Sequence, residues 1–365
     1  MTEIAVLGAG NGGFAFAGYL GLQGHKVRLY ETPQFGENLT EVKRLGGINV
    51  IGVAEGFGKV DLVTTDIEEA VSGVELILVV VPAYAHRDIA LACAPYVKEG
   101  QVIVLNPGSS FGILEFKAAL EEAGNYENIT LAETSSNIFG CRKMDDETVN
   151  LLAVKNKMPV SSYPKEHVTD VVSQLKELFE EFEEAESVLE TSLNNGNSVV
   201  HPAPAILNAG WIESSKGEFD FYWKGMSPSV VKVMESVDNE RIKVGEALNY
   251  RPMTLLESMN TYYGKIGETL HDFLSQSPVH GGPTVGTAAS PPHLQYRYIS
   301  EDIPYGLVPY SELGKALGVD TPYMDSLIFL ASRMNDVDYR KKGRNLEKMG
   351  LSGKTPEEIK EILSR

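Results

Sequence analysis

The chain has 365 residues, which is long enough for two domains that each bury an apolar core. Its composition, with 43% hydrophobic and 22% charged residues, is that of an ordinary globular protein. A net charge of −18 argues against nucleic acid and an anionic membrane surface as expected partners.

Cysteine usage and the N-terminus predict the compartment. The two cysteines, Cys93 and Cys141, are too few for the disulfide framework of a small secreted protein and lack the spacing of a metal site. The first apolar run is broken by glycine and has no basic segment before it, so a signal peptide is not predicted. No apolar stretch approaches the roughly 20 residues that span a bilayer. We therefore expect a cytoplasmic protein with no membrane partner and no metal.

Short apolar runs alternate with helical patterns in the first half of the chain, which is typical of βαβ units and a parallel sheet. The predicted strands cover residues 3–7, 27–30, 76–80, 102–105, 129–132 and 150–154. Their nearly continuous apolar character suits strands covered on both faces. A charge-rich helix is predicted around 165–182, with the acidic residues of 177–186 on a solvated helix face. A last strand at 185–189 is predicted to end the sheet.

Longer helical patterns follow from about Asn194. Ser227 and Pro228 are typical of an N-cap and a first helical position, and apolar residues then recur at helical spacing as far as Leu248. Residues 281–292, GGPTVGTAASPP, form a loop long enough to act as a lid. We place the domain boundary near residue 190, which divides the chain into domains 1–190 and 191–365.

A glycine-rich turn follows the first predicted strand and opens the first helix. It consists of Gly8, Ala9, Gly10, Asn11, Gly12 and Gly13. Gly8 permits the tight turn, Gly10 lets a pyrophosphate approach the backbone, and Gly13 lets the helix pack closely on the strand. The helix N-terminus supplies N–H groups and a partial positive charge for phosphates. This pattern predicts that domain 1–190 is an α/β domain with a Rossmann-type, doubly wound, mainly parallel sheet that binds a dinucleotide.

The next strand ends on an acidic residue, Glu31. A carboxylate at this place accepts hydrogen bonds from the ribose 2′-OH and repels a 2′-phosphate, so NAD is favoured over NADP. A solvated surface glutamate is the alternative interpretation. Arg28 would favour a 2′-phosphate if its mid-strand position faced the pocket.

Two later turns are expected beside the cofactor. Ligands of open α/β sheets bind outside the carboxyl ends of the strands. Val81 and Pro82 follow one such strand end and are predicted to contact the cofactor, and residues 106–109 follow another. For any one of these residues, an ordinary strand-ending turn is an equal alternative.

Six segments resemble the octopine/nopaline (opine) dehydrogenase family, and together they span nearly the whole chain. They are GAGNGG at 8–13, NPGSSFGILEF at 106–116, AETSSNIFGCR at 132–142, NNGNSVVHPAPAILNAG at 194–210, DNERIKVGEAL at 238–248 and YRYISEDIPYGLVP at 296–309. The last three are more specific than the glycine turn, which many dehydrogenases share. The resemblance implies an all-helical second domain and the reductive condensation of an amino acid with a 2-oxo acid by NAD(P)H.

The resemblance also implies a catalytic set. A histidine followed by proline, and an arginine and an aspartate five residues apart, match His201, Arg297 and Asp302. Histidine is the usual group for moving a proton near neutral pH, and a carboxylate can orient it and stabilise its cation. A guanidinium can bind a substrate carboxylate through two N–H groups. The alternatives are a structural histidine and, for Asp302 beside Glu301, a role in capping or surface pairing.

Two further residues are candidates for substrate binding. Asn197 lies four residues before His201, so that on a helix both would share one face; helix capping is the alternative. Arg142 follows Cys141 in a segment where the family carries Cys-Arg, which implies contact with substrate or cofactor.

The sequence therefore predicts an NADH-dependent, opine-type dehydrogenase whose partners are an amino acid and a 2-oxo acid such as pyruvate. An acidic protein that binds dicarboxylates needs a local positive pocket, for which Arg297 is the leading candidate. Two alternatives stay open: a reductase of 2-oxo acids to 2-hydroxy acids on the same scaffold, and a sensor that binds NAD without turnover. The sequence leaves open which two substrates are used and whether the chain forms a homodimer.

Overall fold

The computed structural model describes residues 2–125, 128–277 and 290–365. The chain divides into two units, one formed by Met1–Thr191 with Ser364–Arg365 and the other by Ser192–Leu363. Among the described residues, no helix is long and apolar enough to cross a membrane.

Strands and helices alternate along the first unit. Its strands are β1 (Glu3–Leu7), β2 (Lys26–Tyr30), β3 (Gly47–Gly52), β4 (Gly56–Lys59), β5 (Leu62–Thr64), β6 (Leu76–Val79), β7 (Val102–Leu105), β8 (Thr130–Thr134), β9 (Phe139–Lys143), β10 (Thr148–Val154), β11 (Met158–Tyr163) and β12 (Phe182–Glu184). Its helices are α1 (Asn11–Leu22), α2 (Thr40–Leu45), α3 (Ile67–Val71), α4 (His86–Cys93), α5 (Gly112–Glu122) and α6 (Val168–Lys176), and α7 (Val188–Leu193) leads out of it. Short 3₁₀ turns lie at Pro33–Leu39, Ala83–Ala85 and Lys165–His167.

Eight of these strands form one sheet in the order β12-β11-β8-β7-β6-β1-β2-β5. Neighbouring strands run parallel except β11 and β8, which are antiparallel. The central strands are covered on both faces, since residues 4–7 of β1 are fully buried. The strand order reverses at β1, between β2 and β6, and sheets of this kind bind ligands at the carboxyl ends of the strands beside that point. The predicted Rossmann-type, mainly parallel sheet is confirmed.

A second sheet of four strands, in the order β4-β3-β10-β9, packs against α1. Glycines permit the close approach. A Cβ atom at Gly21 would lie 2.1 Å from the carbonyl oxygen of Lys59, and one at Gly58 would lie 1.9 Å from the carbonyl oxygen of Gly18. Side chains at these positions would push the sheet away from the helix that carries the glycine turn.

The second sheet corrects one prediction, because residues 150–154 lie in β10 of this sheet and not in the parallel sheet. In β10, Val149 and Leu151 are buried, while Leu152 is exposed. The strand therefore covers the helix with one face only, whereas its apolar letters are typical of a strand buried on both faces. Strands β3, β4, β5, β9 and β11 were not predicted, since the glycines of β3 and β4 weaken the pattern that marks a strand.

The segment 165–189 differs from its prediction. Helix α6 ends at Lys176, residues 182–184 form β12, and residues 188–193 form α7, so the predicted strand at 185–189 and the acidic helix face at 177–186 are wrong. Strand β12 lies at the edge of the sheet beside β11, and its Glu183 and Glu184 are exposed while Phe182 is buried. Pairing with β11 outweighs the helix propensity of the glutamates.

The described residues of the second unit form helices joined by loops, as the resemblance implied. The helices are α8 (Asn197–Val200), α9 (Pro202–Leu207), α10 (Ala209–Ser215), α11 (Pro228–Ala247), α12 (Leu255–Tyr263), α13 (Leu270–Gln276), α14 (Arg297–Ser300), α15 (Val308–Leu317), α16 (Pro322–Met334), α17 (Tyr339–Lys342) and α18 (Pro356–Ser364), with a π-helical turn at Ile303–Leu307. The predicted lid at 281–292 lies outside the described residues except for 290–292.

Helix α11 contains a buried ion pair that also connects it to α12. It begins after Ser227 with Pro228 at its first position, as predicted. Within the helix, the buried Arg241 forms an ion pair with Asp238, with Nη2 2.6 Å from Oδ1. The other oxygen of that carboxylate accepts the backbone N–H of Leu255 at 2.7 Å, which ties the start of α12 to α11. The pair is therefore satisfied inside the core, as a buried ion pair must be.

Candidate active site

The glycine turn joins β1 to α1 with contacts that tolerate no larger residue at two positions. Gly8 has φ +112°, and a Cβ atom there would lie 2.5 Å from the carbonyl oxygen of Val80. A Cβ atom at Gly13 would lie 1.7 Å from the carbonyl oxygen of Gly8. At Gly10, the N-cap of α1, a Cβ atom would meet no atom within 4 Å. This open position at a helix N-terminus fits the pyrophosphate of a dinucleotide.

The other residues of the turn are held by their neighbours. The backbone N–H of Ala9 donates to Oε2 of Glu31 at 3.0 Å. The side-chain oxygen of Asn11 accepts the backbone N–H of Lys143 in β9 at 2.8 Å. A Cβ atom at Gly12 would lie 2.7 Å from a methyl group of Val80. Contacts with residues of both sheets therefore hold the turn in place.

Glu31 lies beside the glycine turn and is only 8% exposed. Besides the Ala9 N–H, its carboxylate accepts the backbone N–H of Thr32 at 2.7 Å. The alternative of a solvated surface glutamate is therefore wrong. Arg28 is engaged elsewhere, since it donates to Oε1 of Glu3 at 2.8 Å and to the carbonyl oxygens of Glu69 and Ser72.

The turn after β6 lies directly against Gly8. The backbone N–H of Val80 donates to the carbonyl oxygen of Leu7, and a methyl group of Val81 lies 2.8 Å from where a Gly8 Cβ atom would be. Val81 and Pro82 therefore lie at the carboxyl ends of the strands, beside the point where the strand order reverses. The turn at 106–109 lies at the same edge, because the N–H of Asn106 donates to the carbonyl oxygen of Val79.

In the second unit, His201 and Asp302 form a buried pair. Nδ1 of His201 lies 2.8 Å from Oδ2 of Asp302, and the two residues are 8% and 6% exposed. A carboxylate offers only acceptors, so Nδ1 carries the hydrogen and Nε2 is left to exchange a proton. The interpretation of Asp302 as a surface cap is wrong.

Backbone geometry fixes both members of this pair. His201 stands between α8 and α9: its N–H donates to the carbonyl oxygen of Asn197, and Pro202 begins α9. Asp302 follows α14, and its N–H donates to the carbonyl oxygen of Arg297. The π-helical turn after Asp302 approaches α8 closely, since a Cβ atom at Gly306 would lie 2.6 Å from that of Ser198.

Two tyrosines that the sequence reasoning missed complete the surroundings of the imidazole. Nε2 of His201 lies 3.1 Å from the hydroxyl of Tyr222, and the ring of Tyr298 stacks on the imidazole at a centroid distance of 3.8 Å and an angle of 11°. The hydroxyls of Tyr222 and Tyr298 lie 3.4 Å apart. Tyr298 follows Arg297 in the family-like segment 296–309, but nothing in the sequence marks Tyr222 as a neighbour of His201.

Arg297 lies on α14 next to Tyr298, with a side chain that is 56% exposed. One guanidinium nitrogen lies 3.1 Å from Oε2 of the buried Glu301. A guanidinium has five N–H donors, so this ion pair leaves others that can bind a carboxylate.

The two remaining candidates lie in different units. Asn197 begins α8, is exposed, and lies one helical turn before His201 as expected. Arg142 is an exposed residue of β9 in the first unit, opposite Asn150 of β10. Among the residues that the structure describes, no group of three or more His, Cys, Asp or Glu side chains could hold a metal ion.

Comparisons with known proteins agree with this architecture. Residues 184–335 match the family model of the NAD/NADP octopine/nopaline dehydrogenase alpha-helical domain, and residues 3–113 match that of the NAD-dependent glycerol-3-phosphate dehydrogenase N-terminus. An opine dehydrogenase from Arthrobacter sp. (strain 1C) is 40% identical over 356 residues, which is 96% of each chain.

Two solved structures share the fold. Octopine dehydrogenase with NADH and L-arginine has a TM-score of 0.80 at 21% identity and covers 100% of this chain and 98% of its own. Yersinopine dehydrogenase with NADP+ bound has a TM-score of 0.69 at 15% identity, with coverage of 100% and 98%.

The two matched family models define an oxidoreductase that uses a nicotinamide dinucleotide. An identity of 40% over nearly the full length of both chains goes further. The chain belongs to the opine dehydrogenase family.

Proposed function

We propose that this protein catalyses the NADH-dependent condensation of an amino acid with a 2-oxo acid to a secondary-amine dicarboxylate, and the reverse oxidation. The observation that carries the proposal is the His201–Asp302 pair, buried in the helical unit of a chain 40% identical to an opine dehydrogenase. A simple reduction of a 2-oxo acid would need no amine, which separates the two reactions by experiment.

The residues of this chain supply the proton chemistry. Condensation passes through a carbinolamine, whose hydroxyl oxygen needs a proton to leave as water while the nitrogen lone pair forms the C=N bond of a protonated imine. His201 can provide it at Nε2, because Asp302 holds Nδ1–H and stabilises the cationic ring. NADH, when bound, supplies the hydride that reduces the imine.

Substrate binding is assigned to three residues. We place a substrate carboxylate at Arg297, whose exposed guanidinium keeps donors beyond those that face Glu301. Asn197 and Arg142 are exposed and carry hydrogen-bonding side chains, which supports a substrate contact for each. In a protein of net charge −18, the guanidinium of Arg297 is proposed to supply the local positive charge that a dicarboxylate needs.

For the cofactor, we propose NADH in preference to NADPH, with Gly8–Gly13, Glu31, Val81 and Pro82 as its contacts. Glu31 follows β2, and its carboxylate accepts a hydrogen bond from the glycine turn. A 2′-phosphate bound there would meet a buried negative charge. Arg28, held by Glu3 and two carbonyl oxygens, is not positioned to compensate that charge.

Replacing Glu31 tests this preference. We expect wild-type kcat/KM to be higher with NADH than with NADPH, and Glu31→Ala to narrow the ratio by relieving repulsion of the 2′-phosphate. Glu31→Gln is the matched variant, because the amide oxygen can still accept the Ala9 N–H while the charge is gone. Losing a charge-assisted hydrogen bond costs about 1.5–3 kcal/mol, so the NADH preference should fall by about tenfold or more in both variants. Equal use of the two cofactors by the wild type would contradict the assignment.

The proposed reaction is tested by an NADH-oxidation screen. Amino acids are paired with pyruvate and other 2-oxo acids, and each acid is also assayed alone. We expect oxidation that requires both partners and a product with a new C–N bond by mass spectrometry. Oxidation at the same rate without any amino acid would instead identify a 2-oxo acid reductase, and no oxidation with any pair would indicate a protein that binds NAD without turnover.

Three further features stay predictions: the division into domains 1–190 and 191–365, the lid at 281–292 and a cytoplasmic location. Whether the chain forms a homodimer stays open. Cys93 and Cys141 are both free thiols, which supports the proposed cytoplasmic location.

A further inference from the structure

The Tyr222 hydroxyl is hydrogen-bonded to Nε2 of His201, which is the nitrogen that the proposed reaction uses. Its oxygen lies 3.1 Å from Nε2, on the opposite side of the ring from Asp302, and 3.4 Å from the hydroxyl of Tyr298. Side chains from three separate segments thus form one hydrogen-bonded row: Asp302, His201, Tyr222 and Tyr298. The hydroxyl is therefore placed to give a proton to Nε2 or to take one from it.

The polarity of the row depends on the charge of the imidazole. With Nδ1–H bound to Asp302, a neutral ring has only a lone pair at Nε2, so the O–H of Tyr222 donates to it. A protonated ring donates Nε2–H to the Tyr222 oxygen, and the Tyr222 O–H must then turn to another acceptor. Protonation of His201 therefore frees the O–H group of Tyr222 to donate a hydrogen bond to a neighbouring oxygen or nitrogen atom.

We propose that Tyr222 is a catalytic residue that relays the proton between Nε2 of His201 and the bound substrate. In the condensation step, the O–H bond of Tyr222 breaks as its proton passes to the hydroxyl oxygen of the carbinolamine. The C–O bond then breaks to release water, while the lone pair of the carbinolamine nitrogen forms the C=N bond of a protonated imine. The Nε2–H proton passes to the phenol oxygen in the same step, so Tyr222 is regenerated and the imidazole becomes neutral. This inference rests on the proposed function and adds a residue to it.

The surroundings of Tyr222 keep it in the protonated form that a relay needs. Burial raises the pKa of the Tyr222 hydroxyl well above its usual range, and the neighbouring Tyr298, Asp302 and Tyr263 raise it further. A free tyrosinate is therefore disfavoured, and proton transfer must be concerted with His201. The Tyr298 ring, parallel to the imidazole at 3.8 Å, prevents the imidazole from tilting away from the hydroxyl.

The test is Tyr222→Phe, which removes the hydroxyl and keeps the ring. Since positioned acid–base groups are worth about 10²–10⁴-fold, we expect kcat for condensation to fall by at least about tenfold. KM for both substrates, NADH binding and Tm should stay within error of the wild type. Incorporating 3-fluorotyrosine at position 222, which retains an O–H, should restore most of kcat. Tyr323→Phe, which removes the hydroxyl of a half-exposed tyrosine on α16, should leave all these values unchanged.

Three results would overturn the relay. An unchanged or increased kcat in Tyr222→Phe would mean that the tyrosine only covers Nε2 until a substrate displaces it. A raised KM with an unchanged kcat would make it a binding residue, and a large fall in Tm with no recovery by fluorotyrosine would make it structural.

A second measurement is independent of turnover. In protein with ¹⁵N-labelled histidine, the His201 signals are assigned by their loss in His201→Gln, and the Nε2 resonance should shift between wild type and Tyr222→Phe. If the wild type condensed no substrate pair, the proposed function would fail, whereas an unshifted Nε2 resonance would overturn the link between Tyr222 and His201.

Discussion

His201→Ala is expected to lower kcat by about 10²–10⁴-fold, which is the usual contribution of general acid–base catalysis. The variant has no imidazole nitrogen to exchange a proton with Tyr222 or the substrate. Binding of NADH should change little, because the glycine turn belongs to the other unit of the chain. Steady-state kinetics and fluorescence titration with NADH measure the two quantities separately. His167→Gln, at an exposed histidine of the first unit, is the matched control and should behave as the wild type.

Asp302→Asn should cause part of the same loss. An amide can still accept a hydrogen bond from Nδ1–H, but it carries no charge to stabilise an imidazolium. Because the two side chains act as a unit, the double variant should be little slower than His201→Ala alone. Near-normal turnover by His201→Ala would make the histidine structural, and fully additive losses would show that the two residues act separately.

Alanine at Gly10 and at Gly13 is expected to separate cofactor binding from folding. The Gly10 Cβ atom meets nothing in the protein, and φ −81° and ψ −164° are ordinary values for alanine, so Gly10→Ala should keep the wild-type Tm. It should nevertheless weaken NADH binding by at least about tenfold, because the methyl group takes the place of a pyrophosphate oxygen that accepts charge-assisted hydrogen bonds.

Gly13→Ala should behave differently. Its Cβ atom would lie 1.7 Å from the carbonyl oxygen of Gly8, so α1 must shift relative to the turn. Overpacking of this kind costs about 1–3 kcal/mol, and we expect a lower Tm together with loss of NADH binding. Thermal melts and NADH titrations of both variants check the contrast. Unimpaired NADH binding by Gly10→Ala would show that the pyrophosphate does not bind at this turn.

Local sequence signals were enough for the parts of the fold that depend on neighbouring residues. The glycine turn, the buried strands β1, β6 and β7, and the Ser227–Pro228 start of α11 are specified by patterns within a few residues. His201 beside Pro202 was singled out by the family resemblance, because a lone histidine is more often structural. The pairing of His201 with Asp302 came from the family resemblance, since a spacing of 101 residues carries no local signal.

Three features were decided only by tertiary contacts. Residues 182–184 are a strand because β11 offers an edge, although their glutamates favour a helix. Strand β10 joins a second sheet because β3 and β9 pair with it on either side. Tyr222 and Tyr298 become neighbours of His201 because three segments distant in the chain converge on one imidazole. The sequence alone determined the glycine turn, because its conformation follows from local backbone geometry, and the family resemblance pointed to His201 and Asp302. Which groups surround the imidazole depends on long-range packing, and that is decided only when the whole chain folds.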